Sequence, residues 1–242
     1  MPTRAQEIRR PRSPARRRRA ARRQAGVSLI EVVVVIGIVA VLMLVAVPSM
    51  NNWFEDQRVK TAARAGADLL LLARSEAIRT GTPHVVFFGV DPDGTMMTDP
   101  NGGFAPLLAV DESVTVNCRF DVNEKRESIV ASGNTISWGV TNANVKVGSD
   151  TGGSTLPPDD TSGSTFQDPN GAGRMDWIMF RPDGIPVTFD GDGGTCGNVG
   201  AAGKGGGALY ITNGKRDYAV VVSPLGSVRV HVWQPHTNSW SS

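Results

Sequence analysis

From residue 27 to residue 50 the chain reads VSLIEVVVVIGIVAVLMLVAVPSM, an apolar run carrying one charge, Glu31. A helix needs ~20 such residues to cross a bilayer core. The run is apolar on every side, whereas a helix on a soluble surface shows only a stripe. The pattern therefore predicts a transmembrane and assembly helix over 27–50. Pro48 predicts a kink or local opening rather than a stop, because helical spacing resumes beyond it. Val59, Ala62, Ala63, Gly66, Leu69, Leu70, Ala73, Ala77 and Ile78 recur at steps of three and four. Arg58, Lys60, Arg64, Asp68, Arg74 and Glu76 fill much of the other face. An amphipathic helix over 51–82 follows, stopped by Gly81 and Pro83.

Past residue 83 the period shortens. HVVFFGV (84–90), SVTVNCRFDV (113–122), MDWIMFRP (175–182), ALYITNG (208–214), DYAVVVS (217–223) and SVRVHVWQ (227–234) read as strands. The turn sequences NGKR and PLGS predict hairpins. The fold class is α+β: a long N-terminal helix, half membrane and half amphipathic, packed on a C-terminal antiparallel β-sheet domain over 83–242. Two segments rich in Gly, Ser, Thr, Pro and Asp, 148–173 and 190–207, read as long exposed loops.

Charge alters the picture at the N-terminus. Residues 1–26 hold ten arginines and one acid, Glu7, and so carry +9; the whole chain is +2, which leaves −7 for the rest. Basicity belongs to the leader, whose composition over 1–25 predicts disorder, and a nucleic-acid reading based on whole-chain charge fails. The arginines before the span predict a cytoplasmic N-terminus and an exported C-terminal domain.

Candidate chemistry is sparse. Cys118 and Cys196 are too few for a disulfide scaffold and fit no zinc spacing, but export would allow them to pair. Asp190, Gly191, Asp192, Gly193 and Gly194 start like a calcium loop. The third ligand place is then Gly194 and the twelfth Ala201, so a solvated glycine turn is the better reading. His84, His231 and His236 are scattered, and no nucleophile or phosphate-loop motif is present. No catalytic residue, cofactor or metal is expected. Lys215, Arg216, Arg229 and His231 lie near Tyr218, Trp233 and Trp240, a weak nucleic-acid signal set against ordinary strand-edge charges.

Gly26, Val27, Ser28, Leu29, Ile30 and Glu31, followed by the apolar run and Pro48, resemble the processing signal of type IV prepilins and pseudopilins. FRPDGIP (180–186) and YAVVVSPLGSVRVHVW (218–233) look like late strands of the minor pseudopilin H/FimT family. Val27 stands where that family usually has Phe. The resemblance implies that an inner-membrane prepilin peptidase cuts between Gly26 and Val27 and methylates the new amine of Val27. It implies a minor pseudopilin near the tip of a type II secretion pseudopilus, periplasmic after export. Its partners would be other pseudopilins or pilins, the inner-membrane assembly platform and membrane lipid, with secreted cargo a further candidate and DNA not expected.

Glu31 is the residue on which the mechanism turns. A charge in a span costs ~2.5–3.5 kcal/mol on insertion scales, so such groups default to function. It can pair with the Val27 amine of a neighbouring subunit; the plainer reading is that it snorkels to the interface. Gly37 and Ala40 would allow close helix approach. Two alternatives stand beside the secretion reading: a FimT-like minor pilin of a type IV pilus that binds DNA for uptake, and an unrelated exported protein with an ordinary signal peptide.

Overall fold

The computed structural model describes residues 27–90, 92–94, 107–111, 117–121, 124–128, 136–153, 155–157, 163–171, 173–191 and 196–242. The chain divides into two compact units, Met1–Val47 and Pro48–Ser242. One helix, α1 (Leu29–Thr80), runs through both, and Pro48 does not interrupt it.

In the first unit the helix is bare. Leu29, Ile30, Val33, Ile36, Ile38, Val41, Leu42 and Leu44 are all more than half exposed. The side chains of Val45, Val47, Pro48 and Ser49 lie outside the described residues. That leaves 29–44 as the described apolar stretch, roughly 24 Å at 1.5 Å per residue against a ~30 Å hydrocarbon core. Among the described residues no helix is long and apolar enough to cross a membrane.

In the second unit α1 covers two antiparallel sheets. The first has β1 (His84–Phe88), β2 (Leu107–Asp111), β3 (Lys125–Ser128), β5 (Trp177–Phe180) and β6 (Pro186–Val187), in the order β3-β2-β1-β5-β6. The second has β4 (Ser137–Trp138), β7 (Gly207–Thr212), β8 (Asp217–Val222), β9 (Val228–Gln234) and β10 (Ser239–Ser241), in the order β10-β9-β8-β7-β4. Strand alternation puts Val86, Phe88, Ile178 and Phe180 of one sheet, and Leu209, Ile211, Val220 and Val222 of the other, into a common core. Val59, Ala62, Ala63, Leu69, Leu70, Ala73 and Ala77 of α1 close it. The alanines shorten the distance between helix and sheet, and the buried face is the one the three-and-four spacing marks as far as Ala77; Ile78, expected on it, is 52% exposed.

Alternation alone predicts a solvated outer face, yet every residue of β7 and β8 is buried. The segment 148–173, read as an exposed loop, supplies the cover where it is described. Asp150 lies buried beside Val147. It accepts hydrogen bonds from Thr165 Oγ1 (2.9 Å), Tyr210 Oη (2.9 Å) and Gly152 N (2.8 Å), with Lys146 Nζ at 3.8 Å. Burial, then the Asp150 charge, push the Tyr210 hydroxyl far above its ordinary range, so it stays a donor. Asp150, Gly152, Ser164 and Thr165 are thus the polar groups of a buried turn, whereas Gly148, Ser149, Thr151, Thr155, Gly171 and Gly173 are exposed as a loop should be.

The segment 190–207 is corrected in the same way at its end. A Cβ on Gly205 would sit 2.2 Å from the Pro186 carbonyl oxygen, and one on Gly207 would sit 2.5 Å from the Phe166 ring. Residues 205–207 are buried glycine because the Pro186 backbone, the Thr151 and Pro224 side chains and the Phe166 ring approach there, not because the chain is solvated. The strand expected over 113–122 is a bend at Cys118 (φ 56°) in its described part, and 113–116 lie outside the described residues.

Candidate assembly site

The first unit opens on a helix N-terminus. Val32 N donates to Ser28 O at 3.2 Å, which places Ser28 at the N-cap and Glu31 three residues into the helix. Ser28 and Glu31 thus have the spacing of a capping box. Glu31 is exposed, and among the described residues no side chain pairs with it. Val27 is 71% exposed immediately before the cap. Gly26 and the arginines before it lie outside the described residues. The site is therefore a carboxylate at the positive end of a helix, ringed by uncovered valine, leucine and isoleucine.

Arg74 anchors α1 in the second unit. Its Nε donates to Gly184 O (3.0 Å) and its Nη2 to Leu225 O (3.3 Å). Gly184 lies in the FRPDGIP stretch and Leu225 in the turn of the C-terminal stretch, so the two sequences that carry the family resemblance meet on one arginine. Gly184 needs φ 75°, and a Cβ there would lie 2.7 Å from Ile78 Cδ1. The motif's glycine is thereby explained by close helix approach.

Cys118 and Cys196 form a disulfide, with Cα atoms 5.0 Å apart across 78 residues of sequence. The bridge covers the outer face of the first sheet, where Cys118 packs with Val85, Phe87, Trp177, Met179, Val187 and Phe189. Replacing both cysteines by serine is expected to lower stability by roughly 2–4 kcal/mol. A urea midpoint that matches the oxidised parent would contradict this.

Half of the weak basic signal is spent within the fold. Lys215 Nζ pairs with Glu55 at 2.6 Å and Arg216 Nε with Asp56 at 3.1 Å. Arg229 and His231 line a shallow depression of about 460 Å³ with Lys146, Val145 and Trp240. Burial, then the nearby Arg229 charge, hold the His231 imidazole below its ordinary range, which favours the neutral form. At the glycine turn, both carboxylate oxygens of Asp190 are taken by Asn198, through its main-chain N–H (2.8 Å) and its amide (2.7 Å). Asp192, Gly193 and Gly194 lie outside the described residues.

Residues 21–47 match the family model described as the prokaryotic N-terminal methylation motif. This segment carries the kind of methylation motif found in type IV pilin-like proteins. It is also 33% identical over 97 residues to the type II secretion system protein H of Xanthomonas campestris pv. campestris. That alignment takes in 40% of this chain and 56% of the relative, so the chain spans about half the length of the curated relative it matches. No solved structure matches. The chain is thus similar to a type II secretion protein H over those 97 residues and carries the methylation motif at its N-terminus.

Proposed function

We propose that this chain is a structural subunit rather than an enzyme: a minor pseudopilin that serves near the tip of a type II secretion pseudopilus. One observation carries the reading. A helix, apolar all round and uncovered, opens on a single carboxylate four residues beyond Val27. Such a surface calls for lipid before assembly and for neighbouring helices after it. In this reading the run 27–50 anchors the precursor in the inner membrane, and the arginines hold the cut site at the cytoplasmic surface. The peptidase severs the Gly26–Val27 bond and methylates the Val27 amine. The disulfide supports a periplasmic second unit, since structural disulfides persist in oxidising compartments.

The name of the relative favours secretion over a type IV pilus. The pairing of Lys215 and Arg216 with Glu55 and Asp56 removes half of the basic cluster that a DNA-uptake reading needs. Deleting the gene tests the choice. Secreted proteins should accumulate in the periplasm while surface pili persist. Loss of pili with intact secretion would transfer the chain to the pilus, and no change in either would end the proposal.

A further inference from the structure

Where α1 enters the second unit, two of its faces meet different surroundings. Asn52, Glu55 and Asp56 are held by the β7–β8 turn. Lys215 Nζ donates to Asn52 Oδ1 (3.0 Å) and Glu55 Oε2 (2.6 Å), Arg216 Nε to Asp56 Oδ2 (3.1 Å), and Asn213 Nδ2 to Glu55 O (3.3 Å). Met50, Trp53 and Phe54 stand at i, i+3 and i+4 and so share another face. They are 54%, 57% and 45% exposed, and the Trp53 and Phe54 rings meet edge to face at 5.2 Å. Trp138, Trp177 and Trp233 are buried and Trp240 is half-buried, which leaves Trp53 the exposed tryptophan of the five in the chain.

The place of this face in the sequence says what covers it. It begins where the apolar run ends, and its aromatics are interleaved with Asn51, Asn52, Glu55 and Asp56. An indole with an apolar body and a polar N–H, set among groups that need water, suits the layer where hydrocarbon gives way to headgroups. A second copy of the chain fits less well. It would have to bury the exposed Asn51 and Asn52 that flank the aromatics, which the headgroup layer leaves in water.

We propose that Met50, Trp53 and Phe54 form a membrane-interface anchor, seated among the lipid headgroups on the exported side of the bilayer. The inference rests on the membrane reading above and adds where the bilayer ends. It has a second consequence. The β7–β8 turn is tied to the same helical turns, so that turn lies beside the headgroup layer. The face that fixes the depth of the helix thereby also fixes which edge of the second sheet meets the membrane.

The test uses the full chain reconstituted into vesicles of phosphatidylethanolamine and phosphatidylglycerol. The acyl chains carry bromine either close to the headgroup or deep in the core, and carbonate washing is run in parallel. Tryptophan emission should be quenched more by shallow than by deep bromine, and Trp53→Phe should lose that difference while still resisting the wash. If the chain resists carbonate but Trp53 is unquenched, or is quenched more from the deep position, the anchor is wrong and the membrane reading survives. A Trp53→Cys variant that cross-links to a second copy as fast as the chain integrates would also overturn it. If carbonate strips the chain from the vesicles, both readings fall.

Discussion

Asp217→Ala should destabilise the second unit by about 4 kcal/mol or more, enough to consume most of the margin of an ordinary domain. The carboxylate is fully buried at the start of β8. It accepts from the main-chain N–H groups of Thr141 (3.1 Å), Asn142 (2.6 Å) and Ala143 (2.6 Å), and from Thr212 Oγ1 (2.6 Å). Three successive amides converge on one anion and tie the segment after β4 to the β7–β8 hairpin. Removing the acceptor leaves the buried Ala143 amide unpaired and strips the Thr141 and Asn142 amides and the Thr212 hydroxyl of a charged partner, at about 1–3 kcal/mol each. Asp217→Asn should fall between parent and Ala, since one amide oxygen remains while the new NH2 opposes the same donors. Urea unfolding of the full chain in detergent reads the effect, and a shift for Asp217→Ala below about 1 kcal/mol would refute the account of this anion.

Glu31→Ala should leave the second unit folded and the protein in the membrane, yet abolish its entry into filaments. Taking a charge out of the span removes an insertion cost of ~2.5–3.5 kcal/mol, so anchoring is if anything strengthened. What is lost is attraction to the amine of a neighbour's Val27, about 4 kcal/mol for a pair at 4 Å in a medium of effective dielectric near 20. That corresponds to roughly a thousandfold in association. The rival role, a capping box with Ser28, is worth about 1 kcal/mol and is served equally by glutamine. Glu31→Gln separates the two: it should fail to assemble like Ala if charge is what matters. Cross-linking between subunits in native membranes measures it, and assembly of the Gln variant at the parental level would reduce Glu31 to a cap.

The legible parts of the chain were those where one residue type is anomalous or one period dominates. Glu31 stands out because every neighbour is apolar. The inner face of α1 reads from spacing alone, and Val59, Ala63, Leu70, Ala73 and Ala77 are indeed fully buried. What stayed hidden depends on contacts distant in sequence. Asp150 looked like loop because its partners, Thr165 and Tyr210, lie 15 and 60 residues away. The two-residue strands β4 and β6 are too short to show a period. The glycines at 205 and 207 carried the composition of a flexible linker, whereas the reason for them is the Pro186 carbonyl and the Phe166 ring. The join between Cys118 and Cys196 is likewise a property of the folded sheet, where both flank one buried face.

The N-terminus of the membrane-extracted protein tests the central claim most directly. Gly26 has no side chain to obstruct an extended backbone in a peptidase cleft, and the motif matched over 21–47 is named for methylation. Intact mass should show a chain that begins at Val27 and carries one added methyl group. Gly26→Leu should give the uncut precursor instead. A parent chain that keeps its arginine leader, or one that begins near Met50 after ordinary signal-peptide cleavage, would contradict the account.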